Sequence, residues 1–154
     1  MSNSKHHQLL RTNSRDDGPS VEFSPRDDIF ALNLRHALHM LNGEWIPDIL
    51  VALAEGPKQY SGLLGTIREK THQDGWSGTR HLYLQESVLN RTLRRLERGE
   101  LVERHREPKF PYHARYQLTA AADELLTALA PLVEWPKQHA ELVNRARQAE
   151  HTRQ

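Results

Sequence analysis

From Asp28 onward apolar side chains recur at helical spacing, as Ile29, Phe30, Leu32, Leu34, Ala37, Leu38 and Leu41, and Asn42-Gly43 supplies a stop, which predicts a first helix over about 27–41. A second stripe, Ile46, Ile49, Leu50 and Leu53, predicts a helix from roughly Trp45 to Ala54, with Pro47 tolerated in its first turn and Gly56-Pro57 ending it. Gln59-Tyr60 reads as a very short strand, and Ser61 as the cap of a third helix presenting Leu63, Leu64 and Ile67. The period then dissolves. Residues 68–83 (REKTHQDGWSGTRHLY) are polar, contain Gly75 and Gly78, and read as a long loop, which in a domain this size is either functional or mobile.

Periodicity returns at about Gln85–Arg98, where Val88, Leu89, Thr92, Leu93 and Leu96 share one face of a fourth helix. At 100° per residue the opposite face carries Ser87, Arg91, Arg94 and Arg98, with Asn90 and Arg95 at its borders. Two strand-like runs follow, 101–106 and 113–118, joined by a tip stiffened by Pro108 and Pro111. Thr119 can cap a long last helix with Leu125, Leu126, Leu129, Leu132, Val133, Leu142 and Val143, which is expected to kink or break near Pro131 and Pro136. No repeat of solenoid or propeller period is present.

Composition narrows the chemistry. At 154 residues the chain is one domain with room for short tails, and residues 1–24, rich in Ser, Asn, Asp, Arg and Gly, are expected to be a flexible arm. The domain is expected over 25–149, with 150–154 as a tail. With no cysteine in the chain, disulfides, thiolate nucleophiles, cysteine-ligated zinc and thiol redox sensing are excluded. No apolar run approaches a membrane span and the N-terminus lacks a signal-peptide core, so the expectation is a cytoplasmic protein with no membrane partner.

The net charge of +1 is uninformative, but its distribution is not: residues 85–115 hold eight cations and five anions, a local +3. Helix, helix, short strand, helix, helix, two-stranded ribbon, long helix is the order of a winged helix-turn-helix, mainly α with a small β wing. An arginine-bearing helix followed by an arginine-bearing ribbon suits a duplex, with the helix in the major groove and the ribbon on neighbouring backbone. The same face would also serve as an ordinary solvated helix surface, and charge alone does not separate the two.

Specific strings sharpen this reading. Leu41-Asn42-Gly43-Glu44-Trp45 with Asp48-Ile49-Leu50, Glu55-Gly56-Pro57-Lys58-Gln59-Tyr60, Leu93-Arg94-Arg95-Leu96-Glu97 with Leu101-Val102-Glu103-Arg104, and Tyr116-Gln117-Leu118-Thr119 occur in this order, with Trp135 later. Together they resemble the HxlR family of bacterial winged-helix transcription regulators, relatives of the MarR group, over about two-thirds of the chain. The resemblance implies a homodimer built from the first and last helices, binding a roughly palindromic operator. Three departures stand out. The 68–83 segment is longer than the family's connection, the family's sensing cysteine is missing, and Arg95 and Glu100 replace an acidic residue and a glycine. A trigger other than a thiol, or none, is therefore required, and a small-molecule effector stays open.

Other signals carry less. His36 and His39 share a helical face without a carboxylate or third histidine at ligand spacing, so neither a metal site nor a cofactor is expected. No nucleophile elbow or oxyanion hole accompanies any Ser, His and Asp, so no catalytic residue is assigned and the chain is read as no enzyme. Trp45 and Trp135 are expected to anchor core or interface; Trp76, in the long loop, could pack back, line a ligand pocket or stand exposed.

The sequence thus predicts a sequence-specific DNA-binding regulator, a repressor acting as a homodimer on a double-stranded operator. Ser87, Asn90, Arg91 and Arg94 would face base edges, while Arg95, Arg98, Arg106, Lys109 and Arg115 would hold the backbone. The alternative is a winged-helix module that sequesters a ligand or binds another protein without specific DNA binding.

Overall fold

The computed structural model describes residues 28–70, 83–108, 110–111 and 113–152. The chain falls into two compact units, Met1–His36 and Ala37–Gln154; the described part of the first is the beginning of helix α1 (Asp28–Leu41). The expected arm, 1–24, lies outside the described residues.

In the second unit the last turn of α1 is followed by α2 (Ile46–Ala54), β1 (Lys58–Gln59), α3 (Tyr60–Lys70), α4 (Glu86–Arg98), β2 (Val102–Arg106), β3 (Ala114–Leu118), α5 (Ala120–Gln138) and α6 (Ala140–His151). The strands form one antiparallel sheet in the order β1-β3-β2, with Lys58 opposite Tyr116 and Arg104 opposite the same tyrosine from the other side. This is the winged helix-turn-helix order predicted from the sequence.

The core follows from the apolar stripes. Ile46, Ile49, Leu50 and Leu53 of α2 meet Leu63, Leu64 and Ile67 of α3 and Leu89, Leu93 and Leu96 of α4, with Trp45, Leu84, Leu101, Val102, Tyr116 and Ala122 completing it. Each large aliphatic side chain buried this way contributes roughly 1.5–3 kcal/mol relative to exposure. No polar or charged residue is buried among the described residues, so the core buries no ionised side chain.

Two junctions aim α4. At its entry, Arg68 donates from Nε and Nη2 to the Leu84 carbonyl at 3.1 and 2.9 Å, and its guanidinium lies 4.1 Å from the centre of the Tyr83 ring. The predicted start of the loop at Arg68 is therefore corrected: helical bonding continues to Lys70, and the guanidinium ties α3 to the chain entering α4. Residues 71–82, with Trp76, lie outside the described residues. The Tyr60 hydroxyl adds a bond to the Glu86 carbonyl at 3.0 Å; burial and the nearby Glu86 carboxylate push that phenol above its usual pKa, so it stays a neutral donor.

At its exit, Glu100 N–H bonds the Glu97 carbonyl at 3.1 Å and Leu101 N–H the Leu96 carbonyl at 3.0 Å, a Schellman arrangement. The left-handed position this motif demands falls on Glu100, at φ 56°, where a Cβ is disfavoured. Glu100→Gly should therefore raise stability by about 1 kcal/mol, read as an increase in Tm, while Glu100→Ala should not. An unchanged or lowered Tm in the glycine variant would contradict this.

The C-terminal region departs from expectation. Thr119 caps α5 as predicted, its Oγ1 accepting from Ala122 N–H at 3.2 Å while donating to the Glu100 carbonyl at 2.7 Å. Pro131 and Pro136 nevertheless lie within one continuous helix. The carbonyls they leave without a partner, on Thr127 and Leu132, belong to exposed residues where solvent can serve them. The break comes at His139, whose φ and ψ of −118° and 35° end α5 and start α6. Its imidazole stacks on Trp135 at 4.5 Å with Nδ1 3.0 Å from the Trp135 carbonyl oxygen. Helix α6 runs past the expected boundary at 149, through His151.

Candidate nucleic-acid interface

Helix α4 is strongly two-faced. Leu89, Leu93 and Leu96 are buried, and opposite them Ser87, Asn90, Arg91, Arg94 and Arg98 are all exposed. With Glu97 these five line one shallow, open depression. Among the described residues no carboxylate forms a salt bridge with Arg91, Arg94 or Arg98. Arg98 Nε reaches back to the Arg94 carbonyl at 3.3 Å, which holds its stem along the helix. Thr92, on the flank, bonds the Val88 carbonyl at 2.9 Å and so takes no part in the polar face. The face that the sequence predicted is thus brought together, with its guanidinium groups unneutralised.

Arg95 is placed differently. Its side chain is half-buried and its guanidinium turns to the end of α1, donating from Nη2 to the His39 carbonyl at 2.8 Å and from Nη1 to the Asn42 carbonyl. Its guanidinium is thus engaged at the end of α1 rather than turned outward with Arg91, Arg94 and Arg98, and a cation suits that end of a helix.

The ribbon separates residues that the sequence grouped. In β2, Val102, Arg104 and Arg106 point to one face and Glu103 and His105 to the other; in β3, Arg115 sits opposite His105 and Ala114 opposite Arg106. Arg106 and Arg115 are therefore on opposite faces. Both are exposed, but Arg115 Nη2 is 3.8 Å from Glu107 Oε1, a weak pairing that draws part of its charge. Glu103 accepts from Gln117 at 3.2 Å and lies 3.1 Å from His105 Nε2, giving the second face a partly acidic character. Arg104, not among the contacts expected from the sequence, shares the face of Arg106, with its guanidinium 5.9 Å from the centre of the Tyr116 ring. Strand alternation was the signal that could have found it. Lys109 lies outside the described residues; Phe110 beside it is 85% exposed.

Elsewhere, Glu55 pairs with Lys58 at 3.3 Å and with Lys70, and hydrogen bonds from Lys70 first and Lys58 second hold its carboxyl below the usual range. This clip ties the end of α3 to the turn before β1, away from α4. No group of three or more His, Asp or Glu able to hold a metal occurs among the described residues. No helix among them is long and apolar enough to cross a membrane.

A three-helix unit with a buried leucine stripe, an outward arginine face and an antiparallel ribbon defines a winged helix-turn-helix of the DNA-binding kind. Residues 79–144 match the model of the HxlR-like helix-turn-helix family. Over 113 residues the chain is 26% identical to an uncharacterized HTH-type transcriptional regulator of Methanothermobacter thermautotrophicus, spanning 73% of this chain and 76% of that one. It is similar to the structure of a MarR-family transcriptional regulator from Enterococcus faecalis V583, at 27% identity and a TM-score of 0.58, over 79% of this chain and 96% of that one. It shares its fold with quinone-bound YodB from B. subtilis, at 22% identity and a TM-score of 0.51, over 70% and 98% of the two chains. The stretch that matches the HxlR-like helix-turn-helix, 79–144, takes in α4, β2, β3 and α5, and the chain as a whole is similar to helix-turn-helix transcriptional regulators.

Proposed function

We propose that this protein is a homodimeric, sequence-specific repressor that places α4 in the major groove of its operator, with β2 and β3 along the flanking backbone. The observation that carries this reading is the exposed α4 face: a serine, an asparagine and three arginines that form no salt bridge among the described residues, on a helix whose other side is fixed in the core. Arginine's planar fork matches guanine O6 and N7, and asparagine matches adenine N6 and N7, so Arg91, Arg94 and Asn90 are the base-reading candidates. Arg98 and, from the wing, Arg106 are the phosphate-contact candidates. Arg115, on the opposite face and leaning on Glu107, is a lesser one.

Dimerisation is supported by apolar side chains that are exposed among the described residues. Helix α1 has no buried residue and exposes Leu32, Leu34 and Leu38; the distal part of α5 and α6 expose Leu132, Val133, Trp135 and Leu142. Apolar helices of this length do not persist alone in water, and a second copy would cover them. With no thiol in the chain, an effector would act non-covalently or through a group other than cysteine.

The test is a mobility shift on the protein's own upstream region against excess random duplex, repeated over a salt series. Preferential retention at physiological salt supports the proposal, and its log–log salt slope reports the phosphates neutralised. Absence of any duplex affinity, with thermal stabilisation by a small ligand, would instead favour a sequestering module. Within the same assay Arg91→Ala should cost about 1–3 kcal/mol and relax one base preference. Equal losses on operator and random duplex would remove Arg91 as a base reader.

A further inference from the structure

Arg95 is the one arginine of α4 that faces away from the groove-reading surface, and its surroundings are specific. Nη2 and Nη1 donate to the carbonyls of His39 and Asn42, two of the groups that end α1. The turn that follows packs on the same guanidinium: a Cβ on Gly43 would stand 3.5 Å from Arg95 Nη1 and only 3.0 Å from Ile46 Cδ1. One turn further along α4, Met40 reaches the helix end, its Cε 3.3 Å from where a Cβ of Gly99 would stand. Between these contacts lies a small cavity of about 110 Å³ lined by His39, Met40, Arg95, Leu96, Gly99 and Leu101. The last turn of α1 is thus held to the C-terminal half of α4 by a planar, two-pronged polar contact and by one flexible thioether side chain.

We propose that Arg95 is a positioning residue that fixes the recognition helix to the end of α1 and so sets the distance between the two recognition helices of the dimer. This rests on the reading of the protein as a DNA-binding homodimer. The reasoning is geometric. Two recognition helices must meet half-sites one helical turn apart, so any freedom between the dimer-forming helix and α4 is freedom in that spacing. A guanidinium bonded to two carbonyls three residues apart restrains both rotation and sliding. A lysine ammonium is a point charge on a flexible stem and does not reproduce the fork.

The experiment compares wild type, Arg95→Ala and Arg95→Lys on operators whose half-site spacing is native or changed by one base pair, over a salt series, alongside amide hydrogen exchange of the free proteins. The proposal expects both variants to lose spacing selectivity by at least about threefold, since spacing is what the contact fixes. It also expects the salt slope to stay at the wild-type value, because no phosphate contact is lost. In the free variants the Asn42 amide, bonded to the His39 carbonyl at 3.3 Å, should exchange faster while Leu93 in mid-helix stays protected. General destabilisation would instead lower affinity equally at both spacings and expose Leu93 as well, and that result overturns the proposal. Rescue by lysine, with a slope reduced by about 1 in the alanine variant, would make Arg95 a phosphate contact and overturn it too. If the wild type binds no duplex, the DNA reading fails by itself, and the exchange measurement still judges the contact: unchanged Asn42 protection in both variants refutes it.

Discussion

Leu132→Asp is expected to convert the proposed dimer to monomer and to lower operator affinity by at least about 100-fold. Leu132 is 58% exposed in the single chain, so the aspartate costs the isolated fold little. If a second copy covers that position, the carboxylate has to be desolvated against Val133 and Trp135 of the same helix and the apolar surface of the partner. Burying an unpaired charge costs several kcal/mol, and about 2.7 kcal/mol is already a factor of 100. Operator affinity falls when dimerisation is lost because a dimer engages the second half-site at high effective concentration, an advantage of about 10²–10⁴ that a monomer lacks. Sedimentation equilibrium and the mobility shift read the two effects on one sample. A variant that remains dimeric, or a monomer with undiminished operator affinity, would show that α5 and α6 do not form the interface.

The second large effect lies in the core. Leu93→Ala should cost about 2–5 kcal/mol, the range for removing a fully buried leucine where neighbours cannot collapse into the space. Leu93 is 1% exposed and, with Leu89 and Leu96, is one of only three buried residues that hold α4 to α2 and α3. A domain of this size has about 5–15 kcal/mol in total, so denaturant unfolding should show a large fall in midpoint. Loss of DNA binding would accompany it, through population of the unfolded chain. A cost below about 1 kcal/mol would mean that α4 is anchored by something other than its leucine stripe.

Much of this architecture was legible because it is written in local periodicity. The 3.6-residue recurrence of Ile46, Ile49, Leu50 and Leu53, and of Leu89, Leu93 and Leu96, fixed both helices and their inward faces to within a residue or two of the observed limits. The exposed arginine face of α4 follows from the same arithmetic. What periodicity cannot express is where a long polar side chain finds its partner. Arg95 sits at a border of the helical face, and only the fold brings the carbonyls of His39 and Asn42, more than fifty residues away, within its reach. Arg68 is the same case, spanning from α3 to the Leu84 carbonyl.

Two other differences have simple causes. Grouping Arg106 with Arg115 overlooked that antiparallel register, once set by Val102 opposite Leu118, sends them to opposite faces. The interruption or kink expected near Pro131 and Pro136 is no break at either proline: the helix runs on through both to Gln138 and the chain turns at His139, where Trp135 provides both a stacking surface and a carbonyl. Glu100 shows the converse: the sequence marked it as an unusual exit from the helix, and the structure places it at the one non-glycine residue of positive φ among those described.

The absence of cysteine allows a direct measurement of where α4 lies on DNA. Glu86→Cys, beside Ser87 in the first turn, gives a unique attachment point for a DNA-cleaving iron chelate, and Glu124→Cys on exposed α5 gives a control. On an end-labelled operator the chelate at position 86 should cut in two clusters centred about 10 base pairs apart, with little cutting from position 124. Equal, diffuse cutting from both positions on bound operator would contradict the placement of this helix in the groove.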